Sequence, residues 1–208
     1  MSRGTPQTMR LVEYATASMI IPGESESGDR YIAAPTPTGA LIAVIDGLGH
    51  GVEAAEASKV AVATLERYAS ESVIALIRRC NEAMKTTRGA VMSLASFSAQ
   101  NHTMTCLGVG NVEGVLLRTD AQAGQSRESI LMRGGVVGFR LPTLRALVMP
   151  VSPGDILILA TDGIRSGFEI NLSISAPLQQ IADTICSQHG KGTDDALVLV
   201  ARYMGDGS

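Results

Sequence analysis

Apolar residues in this chain follow two periods, and the changes between them divide it into elements. Runs rich in Ile, Val and Leu at 41–45, 156–160 and 196–200 are bounded by Gly or Asp and read as buried strands. Residues 9–21 contain a further strand-like segment, followed by a polar loop over 22–29. The stretches 30–34 and 39–45 read as a strand pair joined by Pro35-Thr36-Pro37-Thr38. After Gly51 the spacing lengthens. Ala54, Ala57, Ala61, Leu65 and Tyr68 predict an Ala-rich helix ending near Tyr68. Val73, Leu76, Ile77, Cys80 and Met84 predict a second helix from 73 to about 85.

From 90 to 149 the texture is that of short strands at 91–99, 103–109, 112–118, 129–132 and 144–148, separated by polar or Gly-containing turns. The strand at 156–160 follows, then a helix around 176–187 with Leu178, Ile181, Ala182 and Ile185 on one face, and a last strand at 196–203. Two helices, a long meander, one helix and a closing strand do not alternate as βαβ units. That order predicts stacked antiparallel sheets with helices outside. No linker, repeat or low-complexity block interrupts residues 1–208, which read as a single domain.

Composition narrows the classes. With 45% apolar and 18% charged residues, the chain is neither disordered nor a membrane protein by composition. A net charge of −3 disfavours nucleic acid as a partner, and no apolar run is long enough to span a bilayer. Cys80, Cys106 and Cys186 are widely spaced and odd in number, as expected of reduced, buried thiols in a cytoplasmic protein. Trp is absent and aromatics are 3%, so a stacking platform for bases or sugars is disfavoured.

Carboxylates abut three of the buried runs. Residues 41–45 lead into Asp46-Gly47, 156–160 lead through Thr161 into Asp162-Gly163, and Asp194-Asp195 lead into 196–200. One Asp-Gly after a strand is an ordinary turn signal. Three such termini together predict carboxylates converging on one rim. Converging like charges need protons or cations between them, and an oxygen-only ligand set suits Mg²⁺ or Mn²⁺. In a two-metal site Asp46 is the natural bridge, the ions lying about 3.5–4 Å apart, and Gly47 can offer its carbonyl. Water between the ions would then attack phosphorus in line. His50 is either a proton donor to the leaving alkoxide or a surface turn residue. Gly47-x-Gly49-x-Gly51 makes a poor phosphate cradle beside Asp46, and Gly108-Val109-Gly110-Asn111 reads as a turn, not a dinucleotide fingerprint. Gly-x-Ser-x-Gly, His-Glu-x-x-His and Walker A sequences are absent.

Ser27-Gly28-Asp29, Asp46-Gly47-Leu48-Gly49-His50-Gly51, Ala160-Thr161-Asp162-Gly163 and Asp194-Asp195-Ala196-Leu197 occur in the order found in the metal-dependent protein phosphatases of the type 2C serine/threonine class. The Gly-His-Gly form resembles the bacterial branch typified by SpoIIE. Arg79-Cys80-Asn81-Glu82-Ala83-Met84-Lys85 with Arg88-Gly89-Ala90 is similar to the small feedback phosphatases of the stressosome within that branch. The resemblance implies a four-layer α-β-β-α sandwich, two antiparallel sheets flanked by helices, with a centre of two Mn²⁺ or Mg²⁺ ions at one end. It implies Asp46 bridging both ions, the Gly47 carbonyl on one, and Asp162 and Asp194 on the other. Asp29 becomes a ligand or the acceptor for bound water, and Asp195, at a position where the family often has Asn, a further candidate ligand. The implied activity is hydrolysis of phosphoserine or phosphothreonine in phosphorylated STAS-domain proteins of the stressosome. The alternative is a non-catalytic binding module of the same fold.

Two departures from the family pattern matter. Many members carry Glu where this chain has Gly28, so one ion is expected to be held weakly and Gly28→Glu to tighten it. The phosphate-binding Arg of eukaryotic members is replaced by the acidic Gly23-Glu24-Ser25-Glu26. Substrate phosphate must then rely on the metals or on Arg30 or Lys191, and selectivity on docking to a folded partner.

Overall fold

The computed structural model describes residues 2–3, 7–9, 11–119, 127–170 and 172–205. In chain order its elements begin β1 (Ser2–Arg3), β2 (Gln7–Thr8), β3 (Val12–Met19), β4 (Asp29–Thr36), β5 (Gly39–Gly47), α1 (Val52–Arg67) and α2 (Val73–Ala83). They continue β6 (Ala90–Ser98), β7 (Thr103–Val109), β8 (Glu113–Leu117), β9 (Arg127–Ser129), β10 (Met132–Arg133), β11 (Leu147–Pro150), β12 (Ile156–Ala160), α3 (Leu178–His189) and β13 (Ala196–Tyr203). One sheet has the order β1-β3-β13-β12-β8-β9, with β2 also on β3; the other has β10-β7-β6-β5-β4, with β11 also on β7. Pairing is antiparallel except between β7 and β10.

The continuous apolar runs arise because central strands are buried on both faces. Along β5, Ala40, Ile42 and Val44 enter a core between the sheets, while Leu41, Ala43 and Ile45 pack under α1 and α2. In the other sheet Leu157, Leu159, Leu197 and Leu199 join the inter-sheet core, and Ile156, Ile158, Val198 and Val200 pack against α3. Four layers follow, α-β-β-α, as the resemblance implies. Small residues on α1 (Ala54, Ala57, Ala61) let that helix lie close on its sheet. Ser72 caps α2 by accepting from the Ala75 N–H at 3.3 Å. Cys80, Cys106 and Cys186 are free and buried, and burial pushes their thiols up to about 12, 11 and 11. No helix among the described residues is long and apolar enough to cross a membrane.

Three boundaries differ from expectation. The strand expected at 129–132 is two: β9 belongs to one sheet, and β10 to the other. Ile130 is the residue between them that enters the inter-sheet core, with its N–H on the Gly114 carbonyl at 2.8 Å. The strand expected at 144–148 begins instead at Leu147, because Leu144 and Ala146 pack toward the helical layer. Met149 then enters the inter-sheet core opposite Met104. Asp29, expected in a loop, opens β4.

Candidate active site

The alternation that builds the inter-sheet core continues past its end and turns polar there. Asp46 follows Ile42 and Val44 on β5, Asp195 precedes Leu197 and Leu199 on β13, and Thr161 follows Leu157 and Leu159 on β12. Asp29 precedes Tyr31 and Ala33 on β4 and pairs directly with Asp46. One end of the sandwich therefore closes with carboxylates where a leucine layer would otherwise sit.

Close chain crossings hold these ends together. A Cβ on Gly47 would overlap the Ala54 carbonyl of α1, and one on Gly163 would overlap the Asp195 carbonyl. The glycines of both Asp-Gly pairs are thus set by backbone approach, which brings Asp162 beside the start of β13. Gly28 is similarly placed: its N–H donates to Asp195 Oδ2 at 2.7 Å, and a Cβ there would stand 2.9 Å from Ala54 Cβ. A glutamate at 28 would therefore have to displace Ala54 of α1 slightly as it brought its carboxylate in.

Asp46, Asp162 and Asp194 line one cleft of about 560 Å³ together with His50, Asn111 and Thr193, and Leu48, Val91 and Val136 supply apolar wall. Burial pushes Asp46 up to about 7, and the fields of Asp162, Asp194 and Asp195 add to it. Asp29 is raised well above the carboxylate range by burial and by Asp46, against the opposing hydrogen bond from Thr161 Oγ1 (2.7 Å). That hydroxyl also accepts from the Leu197 N–H at 2.9 Å. Asn111 Nδ2 donates to Asp162 Oδ2 at 2.8 Å. Among the described residues no hydrogen bond ends on the Asp46 carboxylate, and no three His, Cys, Asp or Glu side chains close into a tight ion-holding cluster. Converging oxygen donors, one of them without a donor partner and destabilised in its charged form, fit hard divalent cations.

Other expected site residues stand elsewhere. Both oxygens of Asp195 are taken, by the N–H groups of Ile21 (2.8 Å) and Gly28 (2.7 Å), so this side chain ties the 21–28 loop to β13. Asp29 opens toward a neighbouring depression, which also holds Arg30 and Glu26. Arg30 is ion-paired with Glu26, and Lys191, exposed on the loop before β13, has its N–H on the Gly163 carbonyl at 2.8 Å. The residues lining the cleft include neither cation. His50 is at the cleft edge with Nδ1 2.6 Å from Glu24 Oε1. Thr161, Asn111 and Glu24 escaped the sequence reading because their partners are distant along the chain. Arg88 entered the sequence reading only as part of a family-like segment: its guanidinium pairs with Glu53 and lies 2.9 Å from where a Cβ on Gly49 would stand, at the cleft edge.

The fold and the sequence that builds it have counterparts among known proteins. The SpoIIE family (stage II sporulation protein E) matches residues 36–204. The phosphoserine phosphatase RsbX of Bacillus subtilis (strain 168) is 32% identical over 142 residues, 68% of this chain and 69% of that protein. A crystal structure of RsbX in complex with magnesium superposes with a TM-score of 0.84 at 24% identity, over 96% of this chain and 98% of that one. A chain solved in work on the bacterial stressosome, described as a modular system adapted to control secondary messenger signalling, gives a TM-score of 0.83 at 25% identity, over 92% and 99%. Coverage of nearly every strand that positions the carboxylates, with family-level identity beside it, makes this chain a member of the SpoIIE-like branch of the PP2C phosphatases.

Proposed function

We propose that this protein is a Mn²⁺- or Mg²⁺-dependent serine/threonine phosphatase that removes phosphate from phosphorylated STAS-domain proteins of a stressosome, resetting a bacterial stress signal in the cytoplasm. The observation that carries the reading is the gathering of Asp46, Asp162 and Asp194 in one cleft, with Asp29 paired to Asp46 behind it. Kinship with RsbX, a phosphoserine phosphatase, supports the reaction class.

In this reading Asp46, the Gly47 carbonyl, Asp162 and Asp194 would hold the ions. Asp29 accepts a proton or hydrogen bond behind Asp46. When bound, the ions supply a nucleophile from water and neutralise charge on the phosphoryl group. Asn111 orients Asp162, Thr161 orients Asp29, and Asp195 fixes the loop that walls the site. His50, held by Glu24 at the cleft, would serve as proton donor to the leaving oxygen. Neither Arg30 nor Lys191 lines the cleft, so substrate phosphate depends on the ions.

The direct test is Mn²⁺-dependent release of phosphate from phosphorylated stressosome STAS proteins. A folded partner adds binding energy remote from the reacting centre. We therefore expect kcat/KM for the phosphoprotein to exceed that for a peptide copied from its phosphosite. Equal values refute docking-based selectivity, and no release from either refutes the phosphatase reading. A non-catalytic module would bind the phosphoprotein and release nothing.

A further inference from the structure

Phe139 is 86% exposed, the most exposed large apolar side chain among the described residues. It sits at the tip of a turn that is pinned on every side. Val136 and Arg140 exchange backbone hydrogen bonds of 2.9 and 2.8 Å. Val137 is buried and bonded in both directions to Ala90, at 2.8 and 3.0 Å. The Gly138 N–H donates to Asn81 Oδ1 at 3.0 Å, and a Cβ on Gly138 would stand 2.9 Å from Met84 Cβ. Asn81 and Met84 belong to the segment that carries the family resemblance, and here they grip this turn. An apolar side chain carried into water on a fixed backbone gains from being covered, and the backbone that carries it loses little entropy when it is.

Val136, at the base of the turn, lines the catalytic cleft beside Gly134 and Gly135, so Phe139 stands one tight turn from the carboxylates. From 129 to 154 the chain carries Arg133, Arg140 and Arg145 and no acidic residue, whereas the cleft itself is lined by Asp46, Asp162 and Asp194. Arg140 and Arg145 are exposed, and no ion pair among the described residues engages them.

We infer that the 136–140 turn is the docking anchor for the phosphoprotein substrate, with Phe139 entering an apolar socket on a folded partner while Arg140 and Arg145 meet acidic side chains bordering that socket. This rests on the phosphatase reading above. Phe139→Ala and Arg140→Glu should leave Mn²⁺-dependent hydrolysis of p-nitrophenyl phosphate and the melting temperature unchanged. Both should lower kcat/KM for a phosphorylated stressosome STAS protein by at least about tenfold and raise its Kd by the same factor. The effect of Arg140→Glu should shrink as salt rises. Unchanged phosphoprotein kinetics in Phe139→Ala overturns the inference. So does an equal loss on both substrates, which would mark damage to the cleft. If the wild type hydrolyses neither substrate, the phosphatase reading falls, and Kd alone decides docking: a rise in Phe139→Ala upholds it and an unchanged value overturns it.

Discussion

Asp29 and Asp46 face one another as a directly paired couple at the ends of β4 and β5. Both are raised, by burial first and by neighbouring carboxylates after it. Two acids held this way destabilise their own charged forms, and a divalent cation relieves that penalty.

Asp46→Asn should keep the fold, abolish most Mn²⁺-dependent activity, and raise the melting temperature of the metal-free protein at pH 8. A gain of at least about 2 °C corresponds to roughly 1 kcal/mol in a chain of this size. Near-normal turnover at saturating metal would remove Asp46 from the ion site.

The pH dependence follows from the same shift. Asp46 titrates near 3.8 in the unfolded chain and near 7 in the folded one, so between those values the native state holds a proton that the unfolded state has released. Stability of the metal-free protein from this group is present below about pH 4 and lost as pH rises toward 7. Denaturant midpoints at pH 5 and pH 8 in chelator should fall in that order. Added Mn²⁺ should close the gap, and Asp46→Asn should flatten it. A metal-free protein more stable at pH 8 than at pH 5 would contradict this.

Thr161→Val keeps shape but strands two buried partners, Asp29 Oδ2 and the Leu197 N–H. The expected loss is about 1–3 kcal/mol. Thr161→Ser should recover most of it, and urea titration of both variants distinguishes hydrogen bonding from packing.

Gly28→Ala should destabilise by about 1–3 kcal/mol because its new methyl meets Ala54. In an Ala54→Gly background the same change should be milder. A double-mutant cycle with no coupling would show that the glycine serves another purpose.

His50→Gln separates proton donation from placement. Turnover of phosphoserine protein, whose leaving alkoxide needs a proton, should fall by about 10²-fold. Hydrolysis of p-nitrophenyl phosphate, whose leaving group needs none, should hold. Parallel losses would assign His50 to the shape of the turn.

Strands β5, β12 and β13 were legible because each is buried on both faces and therefore apolar without interruption. Asp46 and Asp162 were legible because they end such runs. Thr161 and Asn111 were not: their bonds to Asp29 and Asp162 span 132 and 51 residues, and nothing local marks a hydroxyl or amide for that use. Gly28 reads as a lost ligand in sequence, whereas in space it is where α1 approaches the loop. The β11 boundary was misplaced because Leu144 and Ala146 look like strand residues while serving to pack a loop.

The change of sheet between Ser129 and Met132 has a mechanical consequence. Stacked sheets lie about 10 Å apart, and the three virtual bonds linking these residues span at most about 11 Å when fully drawn out. The link is a short tether with almost no slack. Asp46 rides on one sheet, and Asp162 and Asp194 flank strands of the other. Drawing the layers apart would pull that tether taut at once, so the chain itself limits how far the layers that carry the acids can separate.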